Sequence, residues 1–114
     1  MPLEVRAVTK YIRMSPQKVR LVVDMVRGMD ASEALNVLRF TPKAAAKVVS
    51  KTISSAVANA EEAHGLSVDD LVVSTIMADE GPTLKRGRAG ARGRYKPLLK
   101  RGSHLTVILE SKED

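Results

Sequence analysis

Between Gly81 and Arg101 the chain carries eight basic residues, Lys85, Arg86, Arg88, Arg92, Arg94, Lys96, Lys100 and Arg101, and no acidic one. Eight like charges this close together oppose compaction, so the segment cannot join a core and has to project from one. The flanking stretches have the opposite character. Leu71, Val73, Thr75 and Met77 alternate with Val72, Ser74, Ile76 and Ala78, which reads as a strand with both faces partly buried. Ser103 to Glu110 reads as a second strand, with Leu105, Val107 and Leu109 on one face. Two such strands most simply pair antiparallel, and the basic segment becomes the outer half of a long hairpin. At the rise of a strand, legs of about 8 to 10 residues reach roughly 25–30 Å beyond the core.

The first 70 residues supply that core. Glu4 to Arg13 alternates Val5, Ala7, Thr9 and Tyr11 with Arg6, Val8, Lys10 and Ile12 and reads as a strand or extended arm. Ser15-Pro16 sets an N-cap before a proline at the first helical position. Val19, Val22, Val23 and Val26 then form one apolar stripe, and Gly28 suits a left-handed stop. Asp30 with Glu33 predicts an acidic capping box for a second helix, whose inner face is Ala34, Leu35 and Leu38. Thr41-Pro42 predicts the start of the longest helix, running to about His64 with Gly65 as its end. Its core stripe is Val49, Ile53, Ala56 and Ala60. The expectation is an α+β fold: three helices packed on a small antiparallel sheet, with a long protruding β-hairpin. One domain spans residues 1–114, and residues 81–101 form an extended basic arm within it.

Charge decides the class of partner. Of 19 basic residues eight lie in the arm, which leaves 11 against all 13 acids, so this one segment holds more than the whole net charge of +6. A basic arm of Gly and Arg fits a polyanion. Arg and Lys neutralise phosphates, and Gly87, Gly90 and Gly93 let the backbone approach them. These glycines form no nucleotide-binding loop, because no strand-to-helix switch surrounds them. Such a ribbon cannot stabilise itself in water, and RNA is the anion best suited to order it. Phe40, Tyr11 and Tyr95 are the only aromatics, too few for a module that reads bases by stacking several of them.

Other classes are weaker. The chain has no cysteine, hence no disulfide and no thiolate metal site. His104 has no carboxylate nearby in sequence, the consecutive pair Glu61-Glu62 near His64 reads as solvated helix surface, and there is no HExxH or GxSxG, so an enzyme is not expected, nor any cofactor or metal. The N-terminal residues lack the apolar core of a signal peptide and no apolar run could span a bilayer. A cytoplasmic protein without a membrane partner is expected. On the body, Arg13 and Lys18 bracket a helix N-terminus and are candidate RNA contacts. Arg20 and Arg27 flank Asp24 at ion-pair spacing; pairing is the favoured reading for Arg27, and Arg20 stays among the RNA candidates. Arg39, Lys43, Lys47 and Lys51 read first as a solvated face, with RNA contact the weaker alternative.

Several motifs together carry a family resemblance. They are Ser15-Pro16-Gln17-Lys18-Val19-Arg20-Leu21-Val22, Val26-Arg27-Gly28, Glu33-Ala34-Leu35-Asn36 through Phe40-Thr41-Pro42-Lys43, and Ser55-Ala56-Val57-Ala58-Asn59-Ala60-Glu61 with His64-Gly65-Leu66. Most specific are Asp79-Glu80-Gly81-Pro82 with Leu84-Lys85-Arg86, Arg92-Gly93-Arg94, and Lys100-Arg101 with Ser103-His104-Leu105. Over almost its entire length the chain resembles the universal large-subunit ribosomal proteins of the uL22 family. The resemblance implies a structural constituent of the large ribosomal subunit that supports subunit assembly. Its hairpin would be threaded through rRNA of several domains, lining the nascent-peptide exit tunnel. Neighbouring ribosomal proteins and the nascent peptide at the hairpin tip are the further implied partners, and no homo-oligomer is expected. The implied RNA contacts are Lys85, Arg86, Arg92, Arg94, Lys100, Arg101 and His104, with Arg13, Ser15 and Lys18 on the body; Arg20, Arg88 and Lys96 join them from charge alone. At the tip the chain departs from the family, where relatives often have Pro-Arg in place of Ala89-Gly90.

Overall fold

The computed structural model describes residues 3–81, 84–89, 95–100 and 102–112. Its elements run β1 (Glu4–Ile12), α1 (Pro16–Val26), α2 (Ala31–Arg39), α3 (Ala44–His64), a 3-10 turn (Val68–Asp70), β2 (Leu71–Glu80), β3 (Leu84–Ala89), β4 (Tyr95–Lys100) and β5 (Ser103–Ser111). The architecture is the expected α+β arrangement of three helices on a three-stranded antiparallel sheet. In that sheet β5 is central, between β1 and β2; β3 and β4 form a separate two-stranded ribbon. The molecule is elongated, 65 × 25 × 18 Å.

The core follows from the apolar stripes. Val19, Val22, Val23 and Val26 of α1, Val49, Ile53, Ala56 and Ala60 of α3, and Leu105, Val107 and Leu109 of β5 are all fully buried. Each large aliphatic side chain so buried contributes about 1.5–3 kcal/mol. Helix α3 lies across β1 and β5, and α1 lies against β2. Alanines on α3 let it approach closely, and the Thr9 and Thr52 hydroxyls bond across that contact at 2.7 Å.

Both outer strands change face partway along. In β1, Val5 and Ala7 point inward, then the register shifts between Thr9 and Ile12. Ile12 is consequently buried and Tyr11 exposed, the reverse of strict alternation. In β2 the register shifts between Val73 and Thr75. Leu71, Val73, Ile76 and Ala78 are buried and Met77 exposed. The apparent two-sided burial of this strand is therefore a bulge, in which the Ser74 hydroxyl donates to the Ile108 carbonyl at 3.1 Å.

Three cap expectations need correction. Ser15 and Asp30 hold the N-cap positions of α1 and α2, but neither side chain bonds the helix. The Asp30 carboxylate instead meets Lys112 at 3.3 Å, so the capping box with Glu33 does not form. Thr41 does not open α3: its hydroxyl donates back to the Val37 carbonyl at 2.8 Å and closes α2, while Lys43 is the N-cap of α3. The two glycine stops are left-handed as expected, Gly28 at φ +82° and Gly65 at φ +68°. Gly28 also donates its N–H to the Val73 carbonyl at 3.0 Å, which ties the end of α1 to β2.

Candidate nucleic-acid interface

The arm grows directly out of the sheet. β2 and β5 pair down to Glu80 and Ser103, and the Gly81 N–H then donates to the Gly102 carbonyl at 2.9 Å. A side chain would crowd this crossing, since a Cβ on Gly81 would lie 3.1 Å from the Ser103 nitrogen and 3.2 Å from the Gly102 carbonyl carbon, and the backbone would have to give by a few tenths of an ångström. Beyond it β3 and β4 pair from Leu84 opposite Lys100 to Ala89 opposite Tyr95.

The backbone register pairs Lys85 with Leu99, Arg86 with Leu98, Gly87 with Pro97 and Arg88 with Lys96, so two basic positions stand directly opposite each other. The charge pattern of the sequence does not reveal this pairing, which depends on where the turn falls. Arg92, Arg94 and Arg101 lie outside the described residues.

Two contacts bring the end of β1 and the turn that follows it to the root of the arm. The buried Ser103 donates its hydroxyl to the Met14 carbonyl at 3.0 Å. The Tyr11 N–H donates to His104 Nδ1 at 3.0 Å, and the Gly81–Gly102 bond lies alongside. Arg13 and Lys18 are exposed on this turn and on the first turn of α1. Ser15 is half-buried, and its carbonyl accepts from the Lys18 and Val19 N–H groups. Lys18 also lines a concavity of about 270 Å³ with Met14, Leu21, Lys43, Ala44 and Ala45.

Two candidate residues hold the body together. Arg20 donates from Nε to the Ala78 carbonyl at 2.9 Å, which fastens α1 to the edge strand β2 rather than pairing with Asp24. His104 serves as the acceptor for Tyr11, a role its position in sequence did not suggest. Arg27 bonds Asp24 at 2.7 Å as its spacing indicates, and also donates to the Ile76 carbonyl at 3.0 Å. His64 sits exposed in the last turn of α3. Among the described residues no cluster of His, Asp and Glu could hold a metal ion, and no helix is long and apolar enough to cross a membrane.

Comparison with known proteins adds a family match over most of the chain. The family model described as ribosomal protein L22p/L17e matches residues 7–110. The large ribosomal subunit protein uL22 of Desulfatibacillum aliphaticivorans is 55% identical over 108 residues, covering 95% of this chain and 99% of that protein. The protein of the same name from Thermoanaerobacter sp. (strain X514) is 50% identical over 111 residues, 97% of this chain and 100% of that one. That of Halothermothrix orenii is 47% identical over 112 residues, 98% and 99%.

Proposed function

The chain belongs to the ribosomal protein L22p/L17e family, and from that premise we propose that it binds large-subunit rRNA through its basic arm and the surface at the arm's root. It is a structural constituent of the large ribosomal subunit rather than an enzyme, and works in the cytoplasm within that particle. The observation that carries the RNA reading is the backbone register of the ribbon, which sets Arg88 directly opposite Lys96. Like charges facing each other destabilise a free ribbon, and a phosphate backbone between them turns that repulsion into two attractive contacts.

The contact set of this reading is Lys85, Arg86, Arg88, Arg92, Arg94, Lys96, Lys100 and Arg101 on the arm, with Arg13, Ser15, Lys18, Arg20 and His104 at its root. The body and arm act as one domain, present as a single copy among neighbouring ribosomal proteins. The arm reaches rRNA from several domains and lines the exit tunnel, where the nascent peptide passes its tip. In this role it supports subunit assembly.

Protection footprinting of large-subunit rRNA with and without the protein tests the reading. Discrete protected sites are expected, and they should shrink when arm charges are neutralised. A protein that leaves large subunits after a moderate salt wash and protects no rRNA would overturn it.

A further inference from the structure

We propose that the corner between α2 and α3 is a second RNA-binding surface. There Phe40 stacks an unpaired base of a single-stranded rRNA segment, and Lys43, Lys47 and Lys51 follow the phosphates of the same strand. This rests on the reading that the protein binds rRNA, and extends it to a face the arm does not reach.

The charge pattern is the first ground. From Ala34 to Ala60 the chain contains Arg39, Lys43, Lys47 and Lys51 and no acid. All four are exposed, and the three lysines step along α3 away from its buried stripe of Val49, Ile53, Ala56 and Ala60. Each step of four residues rises about 6 Å, a spacing of the order of that between phosphates along a strand.

This pattern works against the helix that carries it. Lys43 occupies the N-cap, where a hydroxyl or carboxylate would be favoured, and the first turn has no acid. The cations sit in the N-terminal half, while Glu61 and Glu62 lie near the C-terminal end, the reverse of what the helix dipole prefers. Lysines four residues apart repel each other. Among the described residues no ion pair reaches Lys43, Lys47 or Lys51. Helix stability therefore does not account for these lysines, and an anionic partner does.

Phe40 is the second ground, independent of charge. It is 74% exposed, more than any other large hydrophobic residue among those described. A ring with so little burial does almost nothing for the core. Its backbone is nonetheless held, because its N–H bonds the Val37 carbonyl and the Thr41 hydroxyl closes the same turn. An exposed aromatic on a fixed turn between Arg39 and Lys43 is a platform on which a base can stack. Lys43 also shares the concavity with Lys18, so the surface is continuous with the root of the arm.

The test uses the full chain and protein-free large-subunit rRNA, with affinity measured across a salt series. The triple variant Lys43→Gln, Lys47→Gln, Lys51→Gln is expected to reduce the slope of log K against log salt by about 2. Phe40→Ala should weaken binding about fivefold or more at every salt concentration with the slope unchanged, and Phe40→Tyr should restore it. Both sets of residues are exposed, and the lysines work against their helix, so melting temperature should not fall. A parallel arm variant, Arg86→Gln with Arg88→Gln and Lys96→Gln, separates the failures. If it lowers the slope and the α3 variant does not, this second surface is overturned and the arm reading stands. If neither lowers it, the RNA reading falls and this inference with it. Intact rRNA affinity with loss of a crosslink to a neighbouring ribosomal protein would make the corner a protein contact, and overturn the proposal.

Discussion

The main-chain N–H of Tyr11 donates to Nδ1 of His104 at 3.0 Å, and the two rings meet edge to face with centroids 5.1 Å apart. Tyr11 has φ +60°, the one positive value at a non-glycine among the described residues. That conformation costs a bulky residue about 1–2 kcal/mol. An acceptor Nδ1 requires the imidazole proton on Nε2. One histidine thereby secures the bulge of β1 against the start of β5, beside the crossing from which the arm departs.

Removing that acceptor should release the bulge. His104→Ala is expected to cost about 1 kcal/mol, read as a fall of a few degrees in Tm. Tyr11→Gly, which takes φ +60° without steric penalty, should be better tolerated in the His104→Ala background than in the parent. Equal costs in both backgrounds would show that His104 does not hold the strained residue.

Two glycine substitutions should separate conformation from contact. At Gly28 an added Cβ meets nothing within 4 Å, so Gly28→Ala carries only the penalty of φ +82°, about 1–2 kcal/mol of stability. At Gly81 the Cβ would press on the Ser103 nitrogen at 3.1 Å. Gly81→Ala should therefore shift the amide resonances of Gly102 to His104 and weaken rRNA binding, with little change in the melting of the body. Unmoved resonances there would mean that the crossing yields without redirecting the arm.

How far the fold could be read from sequence depended on whether the deciding interaction was local. The valines of α1 and the stop at Gly65 were legible because a helical stripe and a left-handed cap each need only a few consecutive residues. The inner faces of β1 and β2 were not, because bulges near Tyr11 and Ser74 reverse the alternation. Those bulges depend on partners far along the chain, His104 and Ile108. Thr41 misled for a related reason: its hydroxyl can cap the following helix or close the preceding one, and the Val37 carbonyl took it. The arm was legible as a hairpin from its charge and from the two apolar strands that flank it. The pairing of Arg88 with Lys96 was not, because it depends on the register of the hairpin.

Asp70 gives a pH dependence of known sign. Its pKa is held below the ordinary value of 3.8, first by the hydrogen bond from the Ser67 backbone N–H, then by the Ser67 hydroxyl, with Lys112 adding a smaller attraction and desolvation opposing. A depressed carboxylate stabilises the fold above its unfolded pKa, and that contribution is lost as pH falls through the folded value. The Tm difference between the parent and Asp70→Asn should hold steady from about pH 7 to 5 and narrow below about 4. A difference that persists unchanged into strong acid would remove the charge of Asp70 from the explanation.

At the paired positions Arg88 and Lys96, stability and binding should move in opposite directions. Lys96 stands opposite Arg88, so Lys96→Gln removes a cross-strand repulsion of roughly 0.2–1 kcal/mol from the free ribbon. The variant should show slower amide exchange at the β3–β4 pairs in the free protein. It should also bind rRNA more weakly, with a salt slope reduced by about one. Neutralising Arg86 and Arg88 as well should reduce the slope by about two to three in total. The body should melt as before, because its buried stripes lie on α1, α3 and the three-stranded sheet. If Lys96→Gln strengthened both the ribbon and the complex, the opposed pair would be a defect of the arm and not its phosphate grip. A drop of several degrees in Tm would instead show that these charges brace the body.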